Sequence, residues 1–350
     1  MHQIEPLTAP VGPVDALRRV GFLMERQRAG SYRVEAFRNA VKTVRALPAG
    51  ELEKRCEART LGDLAGIGKA TSEVIEQALA GELPTRLATL QTAESAPLEE
   101  EGQDLFAALR GDCHSHSDWS DGGSPIDEMV LTAVELQHDW LVLTDHSPRL
   151  KVANGLTAER LSKQLGVVDA VNASLGDAFR LVKGIEVDIL DDGSLDQSPE
   201  MLGRLEVVTA SVHSKLKMDA AAMTRRMLGA VRNPRTNVLG HCTGRLVTGG
   251  RGTRPQSQFD ARAVFEACLE HDVAVEINSR PERCDPPDDL LAMAAEMGCL
   301  FAIDSDAHAP GQLEMKAYGC ARAEQHGIPW ERIVTTWELG DLLEWAARGR

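Results

Sequence analysis

From residue 105 onward the chain alternates short apolar or β-branched runs with longer amphipathic stretches. The runs fall around 111–114, 140–144 (WLVLT), 180–188 (RLVKGIEVD), 205–212 (LEVVTASV), 237–240 (NVLG), 273–278 (VAVEIN) and 299–304 (CLFAID). Between most of them, 126–137, 157–175, 219–231, 260–271 and 287–297 carry helical periodicity. Repeated strand-then-helix units predict a parallel sheet with crossover helices, and seven units in about 230 residues suit a closed α/β barrel better than an open sheet. Residues 13–91 differ: Val14, Leu17 and Val20 begin one stripe of 3.6-residue spacing, Phe37, Ala40, Val41 and Val44 form another, and no strand-like alternation occurs. The stretch 92–104, TAESAPLEEEGQD, is polar, acidic and aperiodic. The expected organisation is a small all-α domain over 1–91, a linker over 92–104, and an α/β barrel over 105–350.

The ends of the predicted strands carry an unusual set of side chains. The first runs into His114 and His116, with Asp121 in the next turn; the second ends Asp145-His146; the third contains Glu186. The fourth and fifth end in His213 and His241, the sixth in Glu276-Ile277-Asn278, and the seventh leads to Asp306 and His308. Residues i and i+2 of a strand share a face, so His114 and His116 project side by side. In a parallel barrel the strand ends converge on one rim, where active sites lie. Nine such ligands exceed the four that one zinc takes and suit a cluster of two or three ions; mixed imidazole and carboxylate donors fit zinc, manganese or iron better than calcium or magnesium. His2, His138, His271 and His326 lie at a terminus, helix ends or loops and read as surface histidines. Cys113 and Cys242 read as packing residues beside the ligands.

Charge divides the chain in the same place. Residues 1–95 hold 13 basic against 12 acidic side chains, a net of +1, and residues 96–350 hold 25 against 41, a net of −16. A generic DNA-coating protein is basic, so nucleic-acid contact is expected to be local, while an acidic domain suits cation binding. Seven scattered cysteines without a CxxC pair suit reduced thiols. Neither a secretory signal nor a membrane-length apolar run is present, so a cytoplasmic location is expected.

HSHSDWSDG, LTDHS, GIEVD, SVHS, GHCTGR, EINSRP and DSDAH, in this order over about 107–335, resemble the polymerase-and-histidinol-phosphatase (PHP) family. TDHSPRLKVANGL, HCTGRL and EINSRPERCD are similar to the C-terminal PHP domain of bacterial family X DNA polymerases. The resemblance implies a distorted seven-stranded barrel with a trinuclear metal centre. One ion would take His114, His116, Glu186 and Asp306; the second Glu186 as a bridge with His213 and His241; the third Asp121, His146 and His308. Independently, SYRVEAFRNA (31–40) and LAGIGKATSEVIEQALAGELP (64–84) resemble the helix-hairpin-helix domain of the same enzymes. That implies DNA-backbone binding at the Gly66-Ile67-Gly68 turn and the N–H groups opening the next helix, with Lys69, Arg33 and Arg38 as local positive charge. Two departures count. Only the linker stands where the polymerases carry their palm, so polymerase activity is not expected. The position of a nucleophilic lysine in lyase-competent relatives is Val74, which forms no Schiff base.

The function these features imply is a metal-dependent phosphoesterase acting on nucleic-acid ends, a 3′→5′ exonuclease or 3′-end processing enzyme in DNA repair. The alternative is a small-molecule phosphatase of the histidinol-phosphate or nucleotide kind, which the acidic barrel favours because it repels a long polyanion. A non-enzymatic scaffold conflicts with the intact ligand set. Trp119 beside the site either packs on the barrel rim or stacks a terminal base. The segment 244–255, GRLVTGGRGTRP, is expected to be a substrate-facing loop, with Arg245 as a transition-state contact and Arg251 and Arg254 as further phosphate-binding charge.

Overall fold

The computed structural model describes residues 4–250 and 252–348. Two compact units emerge: the chain up to Pro97 together with Ala309–Gln312, and Leu98–His308 together with the chain from Leu313 onward.

The first unit is all-helical, with α1 (Pro13–Arg26), α2 (Ser31–Arg45), α3 (Glu51–Glu57), α4 (Lys69–Leu79) and α5 (Thr85–Ala93). Proline at the first position of α1 suits a helix start, where its missing N–H costs nothing. The stripes read from the sequence become its core: Leu17 and Val20 of α1 meet Phe37, Ala40, Val41 and Val44 of α2, with Val74 and Ile75 of α4. Gly66 turns the chain into α4 at φ +82, and a Cβ there would lie 3.2 Å from the Thr43 hydroxyl, so both the backbone angle and the close approach call for glycine.

The second unit begins with α6 (Gln103–Ala108) and α7 (Ile126–Glu135), which precede β1 (Trp140–Leu143). Then α8 (Ala158–Leu175) leads to β2 (Arg180–Asp188), α9 (Pro199–Leu202) to β3 (Val207–Ser211), and α10 (Ala220–Val231) to β4 (Val238–Leu239). After these, α11 (Ala261–Glu270) leads to β5 (Ala274–Asn278) and α12 (Asp288–Met297) to β6 (Phe301–Asp304), followed by α13 (Lys316–Gln325) and α14 (Leu339–Ala346). All pairings are parallel and the order is β1-β2-β3-β4-β5-β6, a curled sheet of six strands. One file of each strand packs inward: Val142, Val182, Val207, Val238, Ala274 and Ala302 form one cluster with Leu342 and Trp345 of α14. The alternate file, including Ile185, Val208, Leu239, Val275 and Ile303, packs outward against residues such as Leu165 of α8, Met227 of α10 and Phe265 of α11. Gly184 in the inner file of β2 lets β1 come close, since a Cβ there would lie 2.4 Å from Val142.

The first of the seven expected runs is not a regular strand. Ser115 makes only isolated parallel bridges, to Leu143 after β1 and to Ala307 after β6. Side chains replace the ladder: Asp304 accepts the Cys113 N–H at 2.8 Å, and Asp112 accepts the Ser305 N–H at 3.2 Å. The 92–104 stretch is trimmed at both ends, by α5 running to Ala93 and α6 starting at Gln103. No described helix is long and apolar enough to cross a membrane.

Candidate metal centre

The inner file of β2 reads Val182, Gly184, Glu186, Asp188: apolar or small where the strand starts, acidic where it ends. On β5 the same switch gives Ala274, Glu276, Asn278. Glu186 is buried at the centre of the ligand set. Its Oε2 lies 3.3 Å from His114 Nε2, 3.6 Å from His116 Nε2 and 2.8 Å from His146 Nδ1, and its Oε1 lies 3.1 Å from His213 Nε2 and 3.5 Å from His241 Nε2. Asp306 Oδ1 stands 3.5 Å from both His116 Nε2 and His308 Nδ1. Asp121 Oδ1 stands 3.4 Å from His146 Nε2 and 3.3 Å from His308 Nε2. All nine ligands read from the sequence therefore meet in one cluster. Asp306 holds φ at +50, an angle costly for a non-glycine residue and frequent at functional sites.

The donor set fits divalent ions on its own chemistry. His114 Nε2, both ring nitrogens of His116 and Glu186 Oε1 are buried without a hydrogen-bond partner, a costly state for polar atoms unless something else binds them. One donor each from His116, Asp121, His146 and His308 lie within 4.8 Å of one another, as do those of His114, His116 and Glu186, and of His146, Glu186 and His213. Electrostatics agree. Burial opposes charge on Glu186, yet the facing His114, His213 and His146 hold its carboxyl well below the usual range. Burial likewise disfavours a charged His146, but Glu186 and Asp121 outweigh it and push the imidazole up to about 10. His116 goes the other way, lowered to about 3 by burial and by the neighbouring His308 and His146.

Behind the ligands stand buried carboxylates with no role assigned from the sequence. Asp188 Oδ1 is 2.5 Å from His213 Nδ1, and Glu276 contacts both His114 and His241. Asp145 accepts from the Ser117 N–H, the Ser117 and Ser120 hydroxyls and the Gln164 amide, fixing the turn that leads to Asp121. The available signal was an acidic residue in the inner file of an apolar run, a place where carboxylates are rare unless paired.

The arginines are arranged differently from expectation. Arg245 donates Nε to the Arg283 carbonyl at 3.0 Å and Nη2 to the Cys284 carbonyl, while its main-chain N–H faces Asp285. It clasps the loop after β5 instead of pointing its guanidinium at the cluster. Arg283 on that loop is partly buried and places Nε 3.1 Å from Asp306 Oδ2; Arg280 Nη1 lies 3.1 Å from His308 Nδ1. Leu246 and Arg254 are joined by an isolated antiparallel bridge, Arg254 donates to the Gly244 carbonyl, and Arg251 lies outside the described residues. Trp119 is partly buried and packs on the core of the α/β unit. His138 is not a surface residue: it is buried, with Nε2 3.0 Å from the buried Lys316 ammonium, because α13 delivers that lysine beneath the sheet. His2 lies outside the described residues.

In the helical unit, the Gly68 N–H is taken by the Thr71 hydroxyl at 2.9 Å, capping α4. The Lys69 side chain is 93% exposed, Arg33 is exposed, and Arg38 is paired with Glu25 at 2.7 Å. Val74 is buried.

Residues 112–280 match the PHP domain family, and residues 12–82 match a helix-hairpin-helix domain family. The chain carries a PHP domain. Over 250 residues it is 35% identical to the DNA polymerase/3′-5′ exonuclease PolX of Bacillus subtilis (strain 168), covering 71% of this chain and 42% of that protein. The chain thus spans less than half the length of that relative. A protein named Probable phosphatase from Caldicellulosiruptor saccharolyticus is 25% identical over 248 residues, covering 69% of this chain and 96% of its own length. Histidinol phosphate phosphatase from Lactococcus lactis, solved with zinc, L-histidinol and phosphate, aligns at a TM-score of 0.45 with 18% identity, covering 63% of this chain and 95% of that one.

Proposed function

We propose that this PHP-domain protein is a metal-dependent phosphoesterase acting on nucleic-acid ends, a 3′→5′ exonuclease or 3′-end processing enzyme in DNA repair. The gathering of nine candidate ligand side chains, with Glu186 at their centre, carries the hydrolase reading. The helix-hairpin-helix match and the similarity to a relative named as a 3′-5′ exonuclease support the choice of substrate. We take Asp112–His116 as the seventh stave of a distorted barrel and assign three ions: one to His114, His116, Glu186 and Asp306, one to Glu186, His213 and His241, and one to Asp121, His146 and His308. Manganese, zinc or iron suits these donors. When bound, such ions supply Lewis acidity at phosphate oxygens and a nucleophilic water near neutral pH.

The chain's own residues do the rest. Glu186 would hold two of the ions, because its carboxylate is buried and approached by histidines on both oxygens. Burial opposes charge on Asp306, but His114, His116 and then Arg283 hold its carboxyl well below the usual range, and the Arg283 guanidinium beside it helps orient it. In the helical domain Lys69 extends into solvent at the start of α4, where a helix N-terminus favours a DNA phosphate. The domain thus brings polymer to a site whose surroundings are acidic. The scattered thiols suit a reducing cytoplasm.

One observation favours a second reading, a small-molecule phosphatase: the relative named Probable phosphatase is matched over nearly its whole length, and the barrel half is strongly acidic. Manganese-loaded full-length protein assayed on single-stranded DNA with a labelled 3′ end, on histidinol phosphate and on p-nitrophenyl phosphate decides. The proposal expects mononucleotides released from the 3′ end, with kcat/KM well above that for either monoester. Turnover of monoesters alone establishes the second reading, and no turnover of any substrate overturns both.

A further inference from the structure

We propose that Glu276 is a positioning residue that sets the tautomers of two metal-facing histidines, His114 and His241, and so ties two ion positions to one buried carboxylate. This rests on the metal-centre reading above.

Glu276 lies in the inner file of β5 and is fully buried. Its Oε1 is 2.5 Å from His114 Nδ1. Its Oε2 is 3.1 Å from His241 Nδ1, and it also accepts the His241 main-chain N–H and, at 3.2 Å, the Asn278 amide. An ionised carboxylate only accepts hydrogen bonds, so both Nδ1 atoms must carry hydrogen. A neutral imidazole protonated at Nδ1 presents its lone pair at Nε2. Both Nε2 atoms face Glu186, at 3.3 Å for His114 and 3.5 Å for His241. Each ring is therefore held between a carboxylate that fixes its hydrogen and the centre that needs its lone pair. The pair does not itself flank an ion: two ligands about 2.0–2.2 Å from one ion stand roughly 3 Å apart or more, whereas Glu276 and His114 are in direct hydrogen-bond contact at 2.5 Å.

The arrangement recurs at His213, whose Nδ1 meets Asp188 at 2.5 Å and whose Nε2 meets Glu186 at 3.1 Å. There the carboxylate serves one ring. Glu276 serves two, from different strand ends, and those rings belong to different ion sets in the assignment above. Partners of this kind typically change metal affinity 10–100-fold.

Glu276→Gln separates this role from simple packing. The side chain keeps its shape, but one oxygen becomes an NH2 donor. The remaining oxygen stays with His241, because the His241 main-chain N–H also requires an acceptor there. The NH2 then faces His114 Nδ1 and forces the hydrogen to Nε2, blocking its lone pair. The account expects E276Q to lose about 10–100-fold in affinity at one ion position, E276A to weaken two, and Asp188→Asn to affect only the His213 position, each followed by metal titration against a competing chelator. Long-range 15N NMR of histidine-labelled protein reads the tautomers directly: wild type shows His114 and His241 protonated at Nδ1, and E276Q inverts His114 alone. Wild-type affinity and an unchanged His114 tautomer in folded E276Q would overturn the proposal. If E276Q does not fold, the wild-type spectrum still decides, because an Nδ1 without hydrogen on His114 or His241 refutes it. Wild-type protein that binds no manganese or zinc sinks the metal-centre reading instead, and the presence or absence of hydrogen at Nδ1 of His114 and His241 in that metal-free protein still tests the role of Glu276.

Discussion

Six histidines with Asp121 and Asp306 gather around Glu186, forming a set of charges that water would otherwise solvate, and burial makes the ionised members inside it costly unless partnered. Protons and divalent cations compete to supply that partnership. His114, His146 and His213 are all raised above their ordinary value: burial works against the charged form, but Glu186 more than offsets it. His146, pushed up to about 10, is protonated at pH 7 in the ion-free protein and must be neutral to ligate. Ion binding at pH 7 is therefore expected to release at least about one proton, with release shrinking as pH approaches about 10 and affinity falling as pH drops. Titration calorimetry in two buffers of different ionisation heat measures the number, and zero release would contradict the ligand role of these rings. Arg245 shows where residue-level sequence reasoning fell short. Its place four residues beyond His241 and its charge were legible, but not the two carbonyls it holds. Arg245→Ala is expected to cost about 1–3 kcal/mol of barrel stability in urea unfolding while lowering kcat/KM on p-nitrophenyl phosphate less than tenfold. A hundredfold kinetic loss with unchanged stability would restore the direct phosphate contact.

Elements were the most legible level. Strands β2, β3, β5 and β6 are β-branched or aromatic-rich runs of four to nine residues, and α8, α10, α11 and α12 begin within one residue of their predicted starts because Asp, Thr or Pro precedes them. The first strand failed because Asp112 and Asp304 take backbone N–H groups that a ladder would use, and no periodicity records that exchange. Helix α13 was missed because it hides the charged Lys316 on its buried face. That the nine candidate side chains gather in one place was readable because the switch from apolar to acidic or imidazole side chains recurs at the same phase of most units. Glu276 and Asp188 share that phase, and only the geometry behind the rings separates orienting carboxylates from ligands. In the helical domain, the exposed Lys69 beside the Gly66 turn gives an element-level prediction. Lys69→Ala should weaken DNA binding and reduce the salt slope by about one, leaving p-nitrophenyl phosphate turnover unchanged. Fluorescence anisotropy at several salt concentrations checks it, and an unchanged slope would remove Lys69 from the interface.

Across the whole molecule, charge and chemistry are divided between the two units. The near-neutral helical unit matches a helix-hairpin-helix family, and the acidic α/β unit holds the PHP domain with its ligand cluster. The general field of an acidic unit repels polyanions, so the proposed chemistry depends on the cations it concentrates at the strand ends. The central claim is that hydrolysis is carried by ions gathered around Glu186. Chelated, metal-free protein titrated with manganese while p-nitrophenyl phosphate hydrolysis and bound metal are followed together tests it most directly. The account predicts no turnover without metal, recovery that saturates at three ions per chain, and no recovery in Glu186→Gln at any manganese concentration. Full hydrolysis by the metal-free protein, or full recovery in Glu186→Gln, would contradict it.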